Sequence, residues 1–579
     1  MRNLKQKKML AALLSLMVTA STVLGGCSGS QSSTPSTPSN NSTAPASSGS
    51  SSTAAPSESG TASQAAPAAE LGKVNRVSDE TLNFNFWAAY NANYQDNWEG
   101  MKCWQYLEEA TGVHINWELY TLDEITEKRN ILFAAADVSA MPDAFFRAQV
   151  SDAQTKRYGP EGLFVDIKDL VKEHAPNLCA ALDERNLWSS ICDPETGAMY
   201  YAPSLNDSIS ATTLPKLFLN KKMMEAVGVD PANTPKTTDE LYELLIKIRD
   251  ADANGNGDPT DEVGITSNGS TRIFLLFAGA FGINNRGRDD TAVDADPNDP
   301  NKVRFVYTSD DYRKMLSYIR KLYAEGLMDP DLFSLKTSSM VALGSQNQIF
   351  GLAYHNLQAA SVNTDDYTYL QTTLTGPDGH NDWNTRSLGL GKGNFVISSN
   401  CKDPVSLVKW IDNLYTKEGA LMLYFGKEGV DYYINDDGMP TYNDELLAQV
   451  STDNPYDKVV SAITCYASAG VPGLYDDATF PGAECRGISY EATKPLEPHL
   501  PQTMWSFNFT TEETENLSAL KADILTNCHE VNRAKFITGE LDINNDEVWN
   551  NYVKEMESLG LSDMMDIYQT ALDRMNAAK

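Results

Sequence analysis

The stretch DADANGNGDPTDE, from Asp250 to Glu262, holds the densest group of metal-ligand side chains in the sequence. Hard cations such as Ca²⁺ take about six to eight oxygen ligands from a tight loop, with glycine where the chain turns sharply. The loop follows a run typical of an amphipathic helix, whose C-terminal dipole disfavours further carboxylates. A bound cation would relieve this repulsion. Because the loop carries enough oxygens to close a coordination shell, the sequence predicts a structural calcium site rather than a catalytic metal.

Two registers of this loop fit a calcium site, and a solvated turn without an ion is the alternative to both. The register from Asp250 satisfies the EF-hand pattern, except that Asp261 stands where glutamate usually closes the site. The register from Asp252 begins two residues later and closes on Asp261 and Glu262. Asp252, Asn254 and Asp261 belong to both registers. The candidate metal ligands are Asp252, Asn254, Asn256, Asp258, Asp261 and Glu262.

A second set of side chains is typical of a sugar site. Sugars present C–H faces that pack on aromatic rings, and hydroxyl groups that need paired donors and acceptors. Aromatic residues within a helical pattern, such as Trp104, Trp410 and Trp549, are expected to pack in the core. Those at strand ends or in loops are better placed, with core or hinge packing as the alternative for each. The candidate ligand contacts are Trp87, Tyr90, Arg147, Tyr201, His355, Trp383 and Trp505.

The elements that must position these residues follow a β-α-β-α-β order at the start of the folded part. TLNFNFWAAY alternates like a strand, WEGMKCWQYLEEATG has apolar positions at helical spacing, and VHINWELYT is a second strand. The helix ITEKRNILFAAAD and the short strand DAFFRA complete the order, which predicts an α/β fold with a mainly parallel sheet. Ligands gather at the carboxyl ends of such strands. Trp87 to Asn91 and Arg147 are expected at those ends.

The N-terminus predicts export and lipidation. Basic residues precede the apolar run MLAALLSLMVTASTVL, which is too short to span a bilayer comfortably and is typical of a signal peptide over 1–26. It ends in LGGC, which resembles a bacterial lipobox that is cleaved and diacylated at Cys27. Residues 27–70 are rich in Ser, Thr, Pro and Ala, which is typical of a disordered tether. We therefore expect a protein that is lipid-anchored on the extracellular face of the membrane.

Composition excludes some partners. The sequence has 579 residues and a net charge of −32, and removing the signal peptide's four basic residues leaves 42 Lys+Arg against 78 Asp+Glu, or −36. This charge argues against nucleic acid or an anionic lipid surface as a partner. About 510 residues remain after the tether, which predicts two lobes with separate cores. Seven scattered cysteines besides Cys27 form neither a disulfide framework nor a zinc motif, although Cys179 and Cys192 could pair.

Several segments together resemble one known family. WQYLEEATGVHINWELY, FLNKKMMEAVGVD, YRKMLSYIRKLYAEGLMDPDLF, LYTKEGALMLYFGKEGVDY and FITGELDINNDEVWNNYVKEMESLGL occur in the same order as in family 1 extracellular solute-binding proteins of carbohydrate ABC importers. The resemblance is to the long subgroup of lipoprotein and alginate-binding type receptors, and it covers about residues 80 to 575. A surface glycoside hydrolase or a glycan-binding adhesin is the rival class.

The resemblance implies a type II periplasmic-binding-protein-like fold over residues 71–579. Lobe 1 is expected over about 80–205 with later segments, and lobe 2 over about 210–400 with the helical C-terminal segments. The lobes would close over an oligosaccharide and deliver it, as a monomer without enzymatic activity, to ABC permease subunits. The family's calcium loop favours the register from Asp252, and this chain departs from that loop by one extra residue in DPT before the closing Asp261 and Glu262.

Overall fold

A computed structural model describes residues 70–90, 97–283, 292–296, 298–383, 389–436, 438–451, 454, 456–464, 470–480, 482, 485–500 and 507–577. The predicted signal peptide, Cys27, the tether and Trp505 lie outside these residues. Residues 67–579 form one compact unit. In the described part, no helix has the length and apolar character needed to span a bilayer.

The described strands are numbered in chain order. They are β1 Leu82–Tyr90, β2 Val113–Thr121, β3 Ala144–Phe146, β4 Ala202–Asn206, β5 Lys216–Asn220, β6 Val263–Thr266, β7 Val293–Asp296, β8 Asp299–Phe305, β9 Ile349–Tyr354, β10 Tyr367–Tyr369, β11 Leu390–Ile397, β12 Tyr432–Ile434, β13 Pro440–Tyr442 and β14 Gly473–Tyr475. The two main sheets have the orders β14–β4–β11–β3–β1–β2 and β10–β5–β9–β6, and two further hairpins pair β7 with β8 and β12 with β13.

The six-stranded sheet is the centre of lobe 1. β1 pairs in parallel with β2 from Leu82 and Val113 to Tyr90 and Thr121, and in parallel with β3. This confirms the predicted β-α-β-α-β order. β11 runs antiparallel between β3 and β4, so β4 is parallel to β3. Residues 390–397 therefore belong to lobe 1, and the expected extension of lobe 2 to residue 400 is wrong: the chain recrosses before β11.

Helices pack on this sheet, whose inner strands β3 and β4 are buried along their whole length. Phe86 packs edge-to-face on Trp117 and Trp410, while Trp87 on the opposite face packs against Tyr120 and Phe145. The α-helices of lobe 1 are Lys102–Thr111, Leu122–Ala135, Asp152–Tyr158, Lys168–His174, Pro176–Glu184, Trp188–Ile191, Pro404–Asp412, Lys417–Phe425, Asp444–Leu447 and Tyr456–Val460.

The four-stranded sheet is the centre of lobe 2. β9 runs parallel to β6 and antiparallel to β5, and it is buried along its whole length. Thr237 caps the helix that leads into the acidic loop by accepting from the N–H of Glu240. The helices packed in lobe 2 are Lys221–Ala226, Thr238–Arg249, Ser270–Ala278, Asp310–Ala324, Thr337–Ser345, Gly487–Glu491, the π-helix Ala522–Glu530, and Val531–Thr538, Asp546–Ser558 and Leu561–Ala577.

Several segments cross between the lobes. Residues 207–215, which contain the short helix Ile209–Thr212, connect β4 to β5. Residues 370–389 return to β11, and residues after β14 lead back to lobe 2. The helix Thr511–Lys521 lies against both the lobe 1 helix Asp152–Tyr158 and the lobe 2 helix Leu561–Ala577.

The remaining 3-10 turns are Val138–Ala140, Gly279–Phe281, Val306–Thr308, Leu357–Ala360, Thr364–Asp366, Asn413–Tyr415 and Glu497–His499.

Candidate functional site

Lobe 1 presents the carboxyl ends of its parallel strands at one edge. Tyr90 ends β1, Thr121 ends β2 and Arg147 directly follows β3. Arg147 is only 6% exposed and has a left-handed backbone with φ 53°. Its N–H donates to the carbonyl of Asn394 in β11 at 2.8 Å. The predicted positions of Tyr90 and Arg147 at this edge are therefore confirmed, and their contact with a ligand stays a prediction.

Asn394 provides a second polar group at the lobe 1 edge. Its Nδ2 donates to the carbonyl of Gly470 at 2.7 Å, which fixes the amide. Its Oδ1 is buried and has no hydrogen-bond partner among the described residues. A buried acceptor in this state is unusual in native structures and is a group that a bound hydroxyl would satisfy.

Lobe 2 presents a matching edge where β9 and β6 end and β5 begins. Lys216 pairs with Tyr354 across the β5–β9 ladder. The Lys216 side chain is fully buried, and its Nζ donates to the carbonyls of Ser210 at 2.8 Å and His355 at 3.3 Å. His355 follows β9 directly, so its predicted position at a strand end is confirmed. A buried ammonium held by main-chain carbonyls fixes the start of β5 to the end of β9.

Aromatic and polar side chains gather next to this ammonium. The Tyr354 ring centroid lies 4.0 Å from that of His355, and the Arg272 guanidinium lies 4.7 Å above the Tyr354 ring. The Tyr354 hydroxyl accepts from Asn268 Nδ2 at 2.9 Å, while Arg272 donates to Asn268 Oδ1. Two closely spaced, tilted rings beside fixed donors and acceptors match what a sugar requires.

The crossing 207–215 connects these two edges. β4 is parallel to β3, so its end at Asn206 lies at the Arg147 edge, and the crossing enters β5 at Lys216. Asp477 fixes the crossing by accepting from Ser208 Oγ at 2.5 Å and from the N–H of Ser210 at 2.9 Å. The hydroxyls of Ser210 and Thr213 are buried without a partner in the described part of the chain. The crossing therefore starts at the lobe 1 edge and ends at the lobe 2 edge, where Lys216 donates to the Ser210 carbonyl.

Trp87 is not at a strand end, because β1 stays paired with β2 as far as Tyr90. Its indole N–H donates to Glu118 Oε2 at 2.7 Å, and its ring packs on Tyr120 and Phe145. The structure therefore places Trp87 in the sheet packing beneath the helix Leu122–Ala135. Its predicted position at the carboxyl edge is wrong.

Trp383 lies within the crossing segments. Its indole N–H donates to the carbonyl of Pro215 at 3.0 Å, and its main-chain N–H donates to the carbonyl of His499 at 2.8 Å. Only 3% of the residue is exposed. Trp383 therefore ties three crossing segments together, and its polar group is already used within the protein.

Tyr201 precedes β4 rather than following it, and only 2% of it is exposed. Burial and the neighbouring Asp152 raise the pKa of Tyr201 well above its ordinary value. Burial also raises the pKa of Asp152, but Lys392 and Lys156 lower it by more, so that its net shift is downward. Lys156 Nζ donates to Asp152 at 2.6 Å and to Asn508 at 2.8 Å. Tyr201 thus belongs to a buried polar cluster that connects lobe 1 to the segment before the helix Thr511–Lys521.

Four residues of the lobe 2 edge were not among the candidates: Lys216, Asn268, Arg272 and Tyr354. The signal for two of them is the sequence VGITSNGSTR, in which a short apolar strand ends in a polar turn before a helix. Lys216 carried no such signal, because an isolated lysine at a strand start is normally exposed. Its burial follows from the pairing of β5 with β9, which periodicity alone does not specify.

The acidic loop folds around its own side chains. Asp252 accepts from the N–H groups of Asn256 at 3.1 Å and Gly257 at 2.9 Å. Asp261 accepts from the side-chain amides of Asn254 and Asn256, at 3.0 and 2.7 Å, and from Gln348. Burial raises the pKa of Asp261, but these amide hydrogen bonds lower it by more, so its pKa lies below the ordinary value.

Asp250 points away from this arrangement and pairs with Arg249, with 2.8 Å between Oδ1 and Nε. Glu262 Oε1 accepts from the N–H of Asn254 at 3.2 Å, whereas its Oε2 is buried and has no partner among the described residues. Across the described chain, no group of three His, Cys, Asp or Glu side chains is arranged to hold a metal on its own. The loop therefore fits a cation only if the asparagine oxygens contribute, with the buried Glu262 oxygen as the group that needs a partner.

Two other features bear on the site. A cavity of about 460 Å³ lies within lobe 2 between the helices Ser270–Ala278 and Asp310–Ala324 and the π-helix, and Phe274 and His529 are among its lining residues. None of the six described cysteines forms a disulfide, so Cys179 and Cys192 do not pair. Neither feature joins the two polar edges.

Comparisons with known proteins identify the family of the chain. The profile of the bacterial extracellular solute-binding protein family matches residues 91–421. The fructooligosaccharide ABC transporter substrate-binding protein FusA of Streptococcus pneumoniae is 27% identical over 500 residues, which are 82% of this chain and 87% of FusA. Lipoprotein LipO of Bacillus subtilis is 25% identical over 382 residues, covering 60% of this chain and 69% of LipO.

Solved structures show the same fold. FusA in complex with kestose superposes with a TM-score of 0.68 at 24% identity, covering 86% of this chain and all of that structure. The alginate-binding protein AlgQ2, solved without calcium ion, gives 0.65 at 19% identity, again over 86% of this chain and all of that one. The chain belongs to the bacterial extracellular solute-binding protein family and has its two-lobed fold.

Proposed function

We propose that the protein is the lipid-anchored receptor of an ABC importer, that it binds an oligosaccharide between its two lobes, and that it delivers this solute to permease subunits. The observation that carries the proposal is the pair of polar edges joined by the crossing 207–215. The lobe 1 edge contributes Arg147 and the Asn394 amide, and the lobe 2 edge contributes the Tyr354 ring with Arg272.

The geometry supports binding by closure of the lobes. The lobe 1 edge provides polar groups and the lobe 2 edge provides the Tyr354 ring beside Arg272, so a sugar that contacts both edges stabilises the arrangement in which they are close. The buried hydroxyls of Ser210 and Thr213, which have no partner within the described ranges, lie in the crossing that both edges share. FusA, whose name specifies fructooligosaccharides, supports an oligosaccharide as the solute class.

The export and anchoring part of the proposal is supported by the sequence before residue 70. The basic start, the apolar run and LGGC before Cys27 favour signal-peptide cleavage and diacylation at that thiol. LipO, a lipoprotein, is among the relatives. A Cys27→Ala variant should be released into the medium, whereas the unmodified protein should stay with the membrane fraction.

A structural Ca²⁺ ion in the acidic loop is part of the proposal. The side chains that would hold it are Asp252, Asn254, Asn256, Asp261 and Glu262, with Asp258 contributing through the same turn. The buried Glu262 oxygen supports a cation, and the Arg249 pair of Asp250 favours the register from Asp252. FusA was solved as an EF-hand mutant and AlgQ2 without calcium ion, which is consistent with such a loop in related folds. The ion would screen the clustered carboxylates and pin the loop.

The proposed function is tested by a thermal-shift screen of the purified protein against oligosaccharides of different linkage, including kestose, and against peptides. A binder should then be titrated by calorimetry and the mixture separated chromatographically. We expect one-to-one binding with the sugar recovered intact. Released product would favour the rival glycoside hydrolase. Binding only to polymer ends or immobilised glycans, with no small oligosaccharide bound, would favour an adhesin.

A further inference from the structure

Arg129 is a buried cation that donates to two main-chain carbonyls and, at 3.4 Å, from its Nη2 to Asn130 Oδ1. It lies in the helix Leu122–Ala135 and is 5% exposed. Its Nη1 donates to the carbonyl of Ala148 at 2.7 Å and also to that of Gln149. Burial is what lowers its pKa, with no carboxylate counterion acting on it in the described part of the chain. A buried charge lowers the stability of a protein. The position of Arg129 behind these two carbonyls therefore needs a structural reason.

The segment that Arg129 contacts has an unusual backbone. Arg147 and Gln149 have φ values of 53° and 59°, both in the left-handed region that residues with a side chain rarely adopt. Such residues persist where the surrounding structure over-determines them, and they cluster at binding sites. The turn 147–149 also follows β3 directly, at the lobe 1 edge described above.

The opposite side of this turn is fixed by β11. The N–H of Arg147 donates to the carbonyl of Asn394, as noted above. Gly393 has φ 66°, and a Cβ there would lie 1.9 Å from the carbonyl oxygen of Val150, so no other residue fits this approach. The turn is therefore held from one side by a strand backbone and from the other by the guanidinium of Arg129.

We propose that Arg129 is a positioning residue for oligosaccharide binding: its guanidinium fixes the left-handed turn 147–149 and so sets the direction of the Arg147 side chain at the binding edge. The binding part of this inference rests on the proposed function, whereas the fixing of the turn does not. Arg129 itself lies behind the turn and acts through Arg147. Both of the carbonyls that Arg129 Nη1 contacts, those of Ala148 and Gln149, belong to this turn.

The fixing of the turn is tested without any ligand by hydrogen exchange of an Arg129→Met variant, which keeps much of the side-chain volume and loses the donors. Amides 147–150 should exchange about tenfold faster or more, because charge-assisted hydrogen bonds are strong. The matched control is Arg320→Met: Arg320 also lies in a helix and donates to a carbonyl, that of Ile537, but in lobe 2. Arg320→Met should leave the exchange rates of amides 147–150 unchanged. An Arg129→Lys variant retains the charge and a single donor nitrogen, so its exchange rates should lie between those of the unmodified protein and Arg129→Met. It takes the place of Arg129→Met if that variant does not fold.

The link to binding is tested by a double-mutant cycle with the oligosaccharide that binds best in the screen. Arg129→Met and Arg147→Met should each weaken binding about tenfold or more, and the double variant should be little weaker than Arg147→Met alone, because the effect of Arg129 passes through Arg147. Additive losses, or unchanged exchange at 147–150, would overturn the inference. If the unmodified protein binds no oligosaccharide, the proposed function fails on its own, and the exchange experiment still decides whether Arg129 fixes the turn.

Discussion

The acidic loop and the two polar edges differ in how their residues come together. The loop takes its oxygens from adjacent positions, Asp252 to Glu262, on a turn that is mostly exposed. The edges take theirs from distant positions, such as Arg147 with Asn394, and Lys216 with Tyr354, and these groups are largely buried. Local spacing is therefore enough to locate the candidate cation loop, whereas the candidate solute site requires the sheet topology.

The largest expected effect concerns the loop. Asp252→Asn should abolish Ca²⁺-dependent stability, whereas the same change at Asp250 should have little effect, because Asp250 forms only an exposed pair with Arg249. At a free Ca²⁺ concentration about a thousand times the dissociation constant, the ion contributes about 4 kcal/mol. Calorimetric melting with Ca²⁺ and with a chelator measures this difference. Equal loss in both variants would favour the register from Asp250, and no effect of chelation on the unmodified protein would sink the calcium proposal.

A half-buried carboxylate, Asp261, and a fully buried one, Asp412, should respond to pH in opposite ways. Burial raises the pKa of Asp412 from 3.8 to about 6, although it accepts from Asn177 Nδ2 at 2.7 Å and from the N–H of Leu178 at 2.8 Å. Since its folded pKa is raised, Asp412 contributes stability that is fully present below about pH 4 and is lost as the pH rises through about 6. The contribution is on the order of 3 kcal/mol.

Asp261 should behave in the opposite way, because its pKa is lowered: its contribution is present above its ordinary pKa and is lost as the pH falls through the folded value. Melting temperatures of the unmodified protein, Asp412→Asn and Asp261→Asn between about pH 2 and pH 8 separate the two contributions, in chelator so that Ca²⁺ does not contribute. A loss of stability in Asp412→Asn confined to pH values above 6 would contradict the assignment.

The third prediction concerns the edge that the proposed solute contacts. Arg147→Met should weaken oligosaccharide binding about thirtyfold, corresponding to about 2 kcal/mol for hydrogen bonds to a charged group. Arg157→Met, in an exposed position of the same lobe, is the control and should bind normally. Titration calorimetry of the three proteins gives the comparison. Equal affinities would remove Arg147 from the site.

The smallest effect is expected at Trp87. A Trp87→Phe variant loses the indole N–H bond to Glu118 and some packing, which should cost about 1 kcal/mol of stability. Binding should change by less than about twofold, because the residue lies within the sheet. Thermal melting measures the loss of stability, and titration of the same sample measures the change in affinity. A large loss of affinity at unchanged stability would show that Trp87 contacts the solute.

These differences explain how much the sequence could predict. The β-α-β-α-β order and the acidic loop followed from local periodicity and spacing, and the structure contains both. Trp87 was misplaced because the length of β1 depends on its partner β2, which extends the pairing to Tyr90. The return of β11 to lobe 1 and the burial of Lys216 depend on pairings between distant strands, which a single sequence does not specify.

The most direct test of the central claim is a crystal structure with the tightest-binding oligosaccharide from the screen. The account predicts that the sugar lies next to the crossing 207–215 and contacts both edges, with Arg147 on one side and Arg272 or Tyr354 on the other. A sugar bound within one lobe alone, for example in the cavity of about 460 Å³ beside His529, would contradict it.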